Sequence, residues 1–303
     1  MHLITIFTPT YNRSDLLNIA YDSLVRQNNK DFLWLIVDDG STDNTEELVS
    51  KWISEGKIDI KYIKTKNQGK PSATNLSIDL CDSYLWTCLD SDDYLSDNAV
   101  DVISKCYSVI KDNPECCGII GNKFYFDGSL VGKTRLQSDT YLRYRELSYP
   151  YGFHDDKPDR MYIYKTEVIK SYRYPIISGE KFIGESYLYE QLDLLYLMYT
   201  TNEKLYHCEY REDGLTSDYL SLHVKSPKSY KLLKLIIMTY PKPLWHRFRG
   251  AIMYGAGCIL CGDKNIIRNS PKPFMMLFAM PFSKLAYAVK YKRIVAENKN
   301  AKN

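Results

Sequence analysis

Apolar and polar positions along the first 110 residues alternate between two periods. Ile4-Thr5-Ile6-Phe7-Thr8, Leu33 to Val37, Ile58 to Ile63 and residues 84–89 are short runs rich in β-branched and aromatic side chains, as strands require. Between them, apolar residues recur at helical spacing. Leu17, Ala20, Tyr21 and Leu24 follow Ser14, a predicted N-cap, while Leu48, Val49, Trp52 and Ile53 follow an Asp43/Glu46 pair with capping-box spacing. A third helix is expected after Pro71, and a fourth from Ser96 to Ile110 with Ala99, Val102, Ile103, Cys106 and Ile110 inward. Cys117 to Phe126 reads as one further strand. Such alternation predicts an α/β fold, a mostly parallel sheet covered by helices on both faces.

That layout assigns the polar segments a place, because open α/β sheets bind ligands outside the carboxyl ends of their strands. Thr8-Pro9-Thr10-Tyr11-Asn12-Arg13, Asp38-Asp39-Gly40-Ser41, Asn67-Gln68-Gly69-Lys70 and Asp90-Ser91-Asp92-Asp93 each follow a predicted strand. Three carboxylates within four residues repel one another unless a cation sits among them. Oxygen-only ligands suit a hard ion such as Mg²⁺ or Mn²⁺. The plainer reading is a turn that caps the next helix, and Asp-Gly-Ser and Asn-Gln-Gly are ordinary turn formers.

From Gly128 to about Val224 the pattern is irregular and rich in tyrosine, a residue suited to acceptor binding and equally to a half-buried core. Charge separates the rest. From Lys225 onward 16 Lys/Arg face two acids, a surplus of 14, whereas residues 1–224 carry 24 against 35, a deficit of 11. Basic amphipathic helices are expected over Tyr230 to Met238, Trp245 to Cys261 and Phe274 to Ile294, broken by Pro241, Pro243, Pro271, Pro273 and Pro281. Residues 225–303 therefore form a basic helical appendage, suited to an anionic membrane surface and equally to packing on the catalytic domain with its lysines in water. The longest uncharged stretch in it, Gly250 to Gly262, is 13 residues, too short to span a bilayer. The eight cysteines show no paired framework, and no signal peptide is visible at the amino terminus. The expected location is the cytoplasm, peripheral on the inner face of the plasma membrane.

Taken in order, the four loop segments resemble family 2 glycosyltransferases of the GT-A fold, of the bacterial surface-polysaccharide type. Gly179-Glu180-Lys181-Phe182-Ile183-Gly184-Glu185-Ser186 and Glu209-Tyr210-Arg211-Glu212-Asp213-Gly214-Leu215-Thr216 resemble further segments of bacterial members. The resemblance implies a catalytic domain over 1–224, with a nucleotide-sugar half (1–127) and an acceptor half (128–224). It implies donor binding by Thr8, Pro9, Tyr11, Arg13, Asp38, Asp39, Asn67, Gly69, Lys70 and Asp90. Tyr11 would lie against the base and Asp39 would accept from its ring N–H. Asp92, with Asp93 competing, would bind Mn²⁺ or Mg²⁺. The family usually carries an acidic pair where this chain has Glu185-Ser186, so the catalytic base is assigned to Glu185, with Asp155, Asp156 and Glu180 as rivals. His207 or His154 could supply a last metal ligand, although a lone histidine is more often structural.

The implied activity is inverting transfer of a sugar from a nucleotide-diphosphate donor, a UDP-sugar, to a hydroxyl of a glycan or lipid-linked glycan. A metal-dependent nucleotidyltransferase is the enzyme alternative, but it calls for a Gly-rich phosphate loop after the first strand, and that loop has no glycine. A nucleic-acid-binding protein acting through the tail is the other. The tail's apolar periodicity and its lack of a zinc or RNA-binding motif count against it, so no nucleic-acid partner is expected.

Overall fold

In the computed structural model, which describes residues 1–148, 159–211 and 218–300, the strand-helix alternation closes into four parallel strands. β1 (Ile4–Thr10), α1 (Leu17–Val25), β2 (Phe32–Asp38), α2 (Thr45–Glu55), β3 (Ile60–Lys64), α3 (Lys70–Leu80) and β4 (Leu85–Cys88) follow one another. β1 pairs in parallel with β2 on one side and β4 on the other, and β2 with β3. The spatial order β3-β2-β1-β4 reverses direction between β1 and β4. The carboxyl ends of those two strands are thus the switch point where such sheets bind ligands.

Beyond β4 the sheet becomes mixed. β5 (Tyr94–Leu95), α4 (Ala99–Ile110), β6 (Cys116–Tyr125), β7 (Tyr141–Leu142), α5 (Tyr144–Ser148), β8 (Arg160–Lys165), α6 (Thr166–Ile169), α7 (Ser186–Leu192) and β9 (Leu197–Cys208) complete this part. β8 runs antiparallel between β4 and β6, β6 is parallel to β9, and β5 and β7 pair antiparallel with β9. The core is built from Ile4, Ile6, Trp34, Ile36, Leu85, Ile119 and Ile163 on the strands, against Leu17, Leu24, Val49, Ile103 and Ile110 on the helices. Each such side chain stabilises the fold by roughly 1.5–3 kcal/mol when fully buried.

Two helix starts differ from expectation for the same reason: the serine is engaged elsewhere. Ser14 donates both its backbone N–H and its hydroxyl to the Asp43 carboxylate, and α1 begins only at Leu17. Ser96 Oγ donates to the Lys204 carbonyl and lies 2.9 Å from His207 Nε2. α4 accordingly begins at Ala99, after Tyr94 and Leu95 have paired with β9.

The chain divides into two compact units, Met1–Arg173 with Leu195–Glu209, and Tyr174–Leu194 with Tyr210–Asn303. The first holds the whole sheet. The second contains α7, α8 (Tyr219–Lys225), α9 (Pro227–Thr239), α10 (Leu244–Leu260), α11 (Pro273–Lys290) and α12 (Lys292–Asn300). The charge boundary at 224/225 falls inside the second unit, so it marks a change of composition and not of packing. α10 lets its neighbours approach closely. A Cβ at Gly250 would lie 2.9 Å from the Met238 amide of α9, and one at Gly255 would lie 2.7 Å from Ser283 Cβ of α11. α11 runs on through Pro281, where a break was expected.

Candidate active site

The four loops of the first unit are tied to one another at the sheet's rim. Asn12, in the left-handed region at φ 50°, donates its amide to Ser41 Oγ at 2.8 Å and accepts from the Thr42 amide at 2.8 Å. The β1 and β2 loops are thereby joined. Asp39 joins β2 to β3: its two carboxylate oxygens accept the Gln68 and Gly69 amides, each at 2.7 Å. Between them Gly40 sits at φ +88°, and a Cβ there would lie 3.1 Å from both the Asn67 amide and the Thr65 carbonyl. Asp38 is fully buried, accepting from the Ser41 amide at 2.7 Å and the Tyr62 hydroxyl at 2.5 Å. The Asp38-Asp39 pair is therefore a latch that holds the β2 and β3 loops together.

In the aspartate turn every carboxylate has a different partner. Lys70 Nζ donates to Asp90 Oδ1 at 2.7 Å, and Arg13 Nη1 to Asp92 Oδ2 at 2.7 Å. The Tyr206 hydroxyl donates to Asp93 Oδ2 at 2.6 Å and accepts the Asp90 amide at 3.1 Å. Lys123 lies 4.4 Å from the Tyr206 ring centroid and pairs with Asp159 at 2.8 Å. These surroundings separate the carboxylates electrostatically. Burial opposes ionisation of Asp90, but Lys70, Lys123 and Arg13 outweigh it and hold its pKa below the usual range. Burial and the neighbouring Asp90 and Asp92 push Asp93 up to about 8, against the pull of Lys123 and the Tyr206 hydrogen bond. Lys123 is held charged despite burial by Asp159, Asp90 and Asp93.

The charge argument for a metal is thus met in part by the chain's own cations. Among the described residues no group of three His, Cys, Asp or Glu side chains is arranged to hold an ion. In chemical kind the donors still fit a hard dication, which takes one or two carboxylates and completes its shell with phosphate oxygens and water. Asp92 suits this best, being partly exposed, whereas Asp93 is buried and inclined to keep its proton.

The first unit gathers Arg13, Asp38, Asp39, Asn67, Gly69, Lys70, Asp90, Asp92 and Asp93 on this rim. Tyr11 is exposed beside them at 47%. Thr8 is different: strand alternation turns it inward, and its hydroxyl accepts from Trp34 Nε1 at 2.9 Å, so the side chain is closed to a ligand. Pro9 is half-buried in β1. Glu185 belongs to the second unit, just before α7. The Tyr189 hydroxyl donates to its Oε2 at 3.0 Å, and its backbone carbonyl accepts from Tyr174 at 3.2 Å. Glu180, a rival base, binds the first turn of α9 through the Lys228 and Ser229 amides and the Ser229 hydroxyl. That contact gives it a capping role.

His207 is structural. Its ring stacks on Tyr94 at 4.5 Å and 2°, Nε2 meets Ser96 Oγ and Nδ1 faces the Tyr125 carbonyl. Asp155, Asp156, His154 and residues 212–216 lie outside the described residues. Sequence reasoning missed Lys123, Tyr206, Tyr62 and Asp159. A signal existed for Lys123: with Asn122 it interrupts the buried apolar run of β6.

Comparison with known proteins bears on the family and the fold. The family model described as "Glycosyl transferase family 2" matches residues 5–172. The chondroitin synthase of Pasteurella multocida (strain Pm70) is 33% identical over 130 residues, 43% of this chain and 13% of that protein. Glycosyltransferase GlyA of Streptococcus pneumoniae is 28% identical over 189 residues, 62% of this chain and 25% of that one. The matched segments are thus a quarter or less of these relatives' length. Among solved structures, S. aureus TarS 1-349 in complex with UDP-GlcNAc superposes with TM-score 0.62 at 15% identity, over 99% of this chain and 92% of that one. Mannosyltransferase PcManGT from Pyrobaculum calidifontis, with GDP-Man and Mn²⁺, gives 0.54 at 14% identity over 96% and 88%. At these identities the likeness speaks for the fold alone, and that fold is GT-A.

Proposed function

The chain belongs to glycosyl transferase family 2, and from that premise we propose that it transfers a sugar from a uridine diphosphate donor, with inversion, to a hydroxyl of a glycan or lipid-linked glycan in cell-surface polysaccharide synthesis. The observation that carries the reading is the pair of contacts Lys70–Asp90 and Arg13–Asp92, set where the winding of the sheet reverses. Two partly exposed cations next to two carboxylates offer a diphosphate direct counter-charges and an acidic edge for an ion. The UDP-GlcNAc bound to TarS supports uridine.

In this mechanism Tyr11 stacks on the base and Asp39, fixed by the β3 loop, accepts from its imide N–H. Lys70 and Arg13 turn from their aspartates to the donor phosphates and stabilise the charge that grows on the leaving diphosphate. A divalent ion, Mn²⁺ or Mg²⁺, would be held by Asp92 with Asp90 and would add to that neutralisation. Lys123 helps to keep Asp90 ionised, and Tyr206 holds its backbone amide in place. The acceptor hydroxyl loses its proton to a carboxylate, for which Glu185 is retained on the strength of the family resemblance; a base in hydrogen-bond reach contributes about 10²- to 10⁴-fold. The basic helices of the second unit are read as facing an anionic membrane surface on the cytoplasmic side, where a lipid-linked acceptor is at hand. The test is UDP release from a panel of UDP-sugars with crude surface glycan as acceptor, with and without Mn²⁺. Release with no UDP-sugar tried, alongside release with another nucleotide sugar, would refute the uridine assignment.

A further inference from the structure

α11 is apolar on its outward as well as its inward face, which is unusual for a helix with only one face covered. Met276 and Ala279 face inward and are buried with Ala251, Tyr254 and Cys258 of α10, and Ser283 is buried against Gly255. The outward face ought then to be polar. Instead Phe274, Leu277, Phe278, Phe282, Leu285 and Val289 are between 54% and 83% exposed. At 3.6 residues per turn these six fall within an arc of about 140°. All three exposed phenylalanines among the described residues are on this one helix. Where α11 starts beside the first turn of α10, a cleft of about 550 Å³ is lined by Leu244, Trp245, Phe248, Phe274, Met275 and Phe278, with almost no polar surface.

The charges around this face select its occupant. Lys272 precedes α11, Lys284 lies at the edge of the apolar arc, Lys290 ends the helix, and Lys292 and Arg293 follow it, all exposed, with Arg293 paired to Glu297. α11 itself contains no acidic residue. A second copy of the chain on the same face would bring this basic rim against its own image. An anionic lipid surface neutralises it and takes up the aromatic side chains as well. Crossing the bilayer is not required, because no helix among the described residues is long and apolar enough for that.

Extending the membrane-facing reading of the second unit, on which it rests, we infer that α11 lies in the plane of an anionic phospholipid leaflet. Phe274, Phe278 and Phe282 are buried among the acyl chains, and the cleft beside Trp245 receives one lipid tail. The lysines at both ends and at the edge of the helix contact the headgroups.

The test uses the full chain and vesicles of phosphatidylcholine with or without phosphatidylglycerol. The protein is expected to sediment with the anionic vesicles and to dissociate as salt is raised. Phe274→Ser/Phe278→Ser/Phe282→Ser, which alters exposed positions only, is expected to weaken binding at least tenfold; Lys284→Glu/Lys290→Glu should do so through charge alone. Trp245 gives an independent signal, because Trp34, Trp52 and Trp86 are buried at 5% exposure or less. Brominated lipids should quench it, and Trp245→Phe should abolish the quenching. UDP binding is measured on the same preparations. Unchanged vesicle binding in the triple-serine variant, or no vesicle binding by a wild-type chain that binds UDP, overturns the inference and leaves the donor reading standing. Vesicle binding without UDP binding overturns the donor reading alone. A wild-type dimer that the serine variant converts to monomer overturns it in favour of a second copy.

Discussion

The Tyr206 hydroxyl donates to Asp93 Oδ2 at 2.6 Å and accepts the backbone N–H of Asp90, so one oxygen on β9 holds both ends of the aspartate turn. Asp93 and Tyr206 are both buried, at 5% and 1% exposure. Tyr206→Phe leaves a buried carboxyl and a backbone amide without this partner, at a cost of about 1–3 kcal/mol. The expected result is a Tm lower by about 2–8 °C together with weaker UDP binding, since Asp90 loses its anchor. A variant with wild-type Tm and wild-type affinity would separate the turn from the hydroxyl.

Lys70 is paired with Asp90 at 2.7 Å. It holds Asp90 ionised in the free protein, and under the proposed mechanism it turns to a phosphate when the donor binds. Lys70→Met should weaken UDP binding by at least tenfold, about 1.4 kcal/mol, while uridine, which has no phosphate, binds as before. Equal losses for uridine and UDP would mean that Lys70 acts only through the shape of the loop.

Much of this rim is local in sequence, which is why it was legible. The polar segments follow strands whose β-rich runs are plain, and the switch point follows from alternation alone. What was not legible comes from far away. Tyr206 reaches Asp93 across 113 positions, and Arg13 reaches Asp92 across 79. No local pattern reveals such pairs, so the three carboxylates looked as if only a metal could let them coexist, whereas Arg13, Lys70 and Lys123 already offset part of their charge. The side chains of Thr8 and Ser14 are engaged elsewhere for a related reason. Their types suit a ligand contact and a helix cap, but Trp34 and Asp43, brought in by the neighbouring strand and loop, engage them first.

The second unit should carry its own acid sensitivity. His223 is 4% exposed among Tyr219, Tyr230 and Tyr291, and burial, helped by Lys234 and Lys290, lowers its pKa to about 3. The folded pKa is depressed below the ordinary 6.5. The unfolded chain therefore takes up the proton first, and the contribution of a neutral His223 is complete above pH 6.5 and lost as pH falls toward the folded value. Denaturant titrations should show a loss on the order of 2 kcal/mol from this group by pH 5. In His223→Phe that slope should vanish; an identical slope would assign the acid sensitivity to other groups.

Glu185→Gln removes a proton acceptor but preserves size, and its Oε atom can still receive the Tyr189 hydroxyl. Sugar transfer should fall by about 10²- to 10⁴-fold with UDP-sugar affinity within about twofold of wild type. Near-normal turnover would pass the role to another carboxylate, with Asp155 and Asp156 next to be substituted.

Calorimetric titration of the full chain with UDP, in EDTA and then in Mn²⁺, tests the central claim most directly. The account predicts binding in both conditions, tighter with Mn²⁺ by at least tenfold, about 1.4 kcal/mol, and loss of that metal increment in Asp92→Asn. No heat from UDP in either condition, with the chain folded, would contradict it.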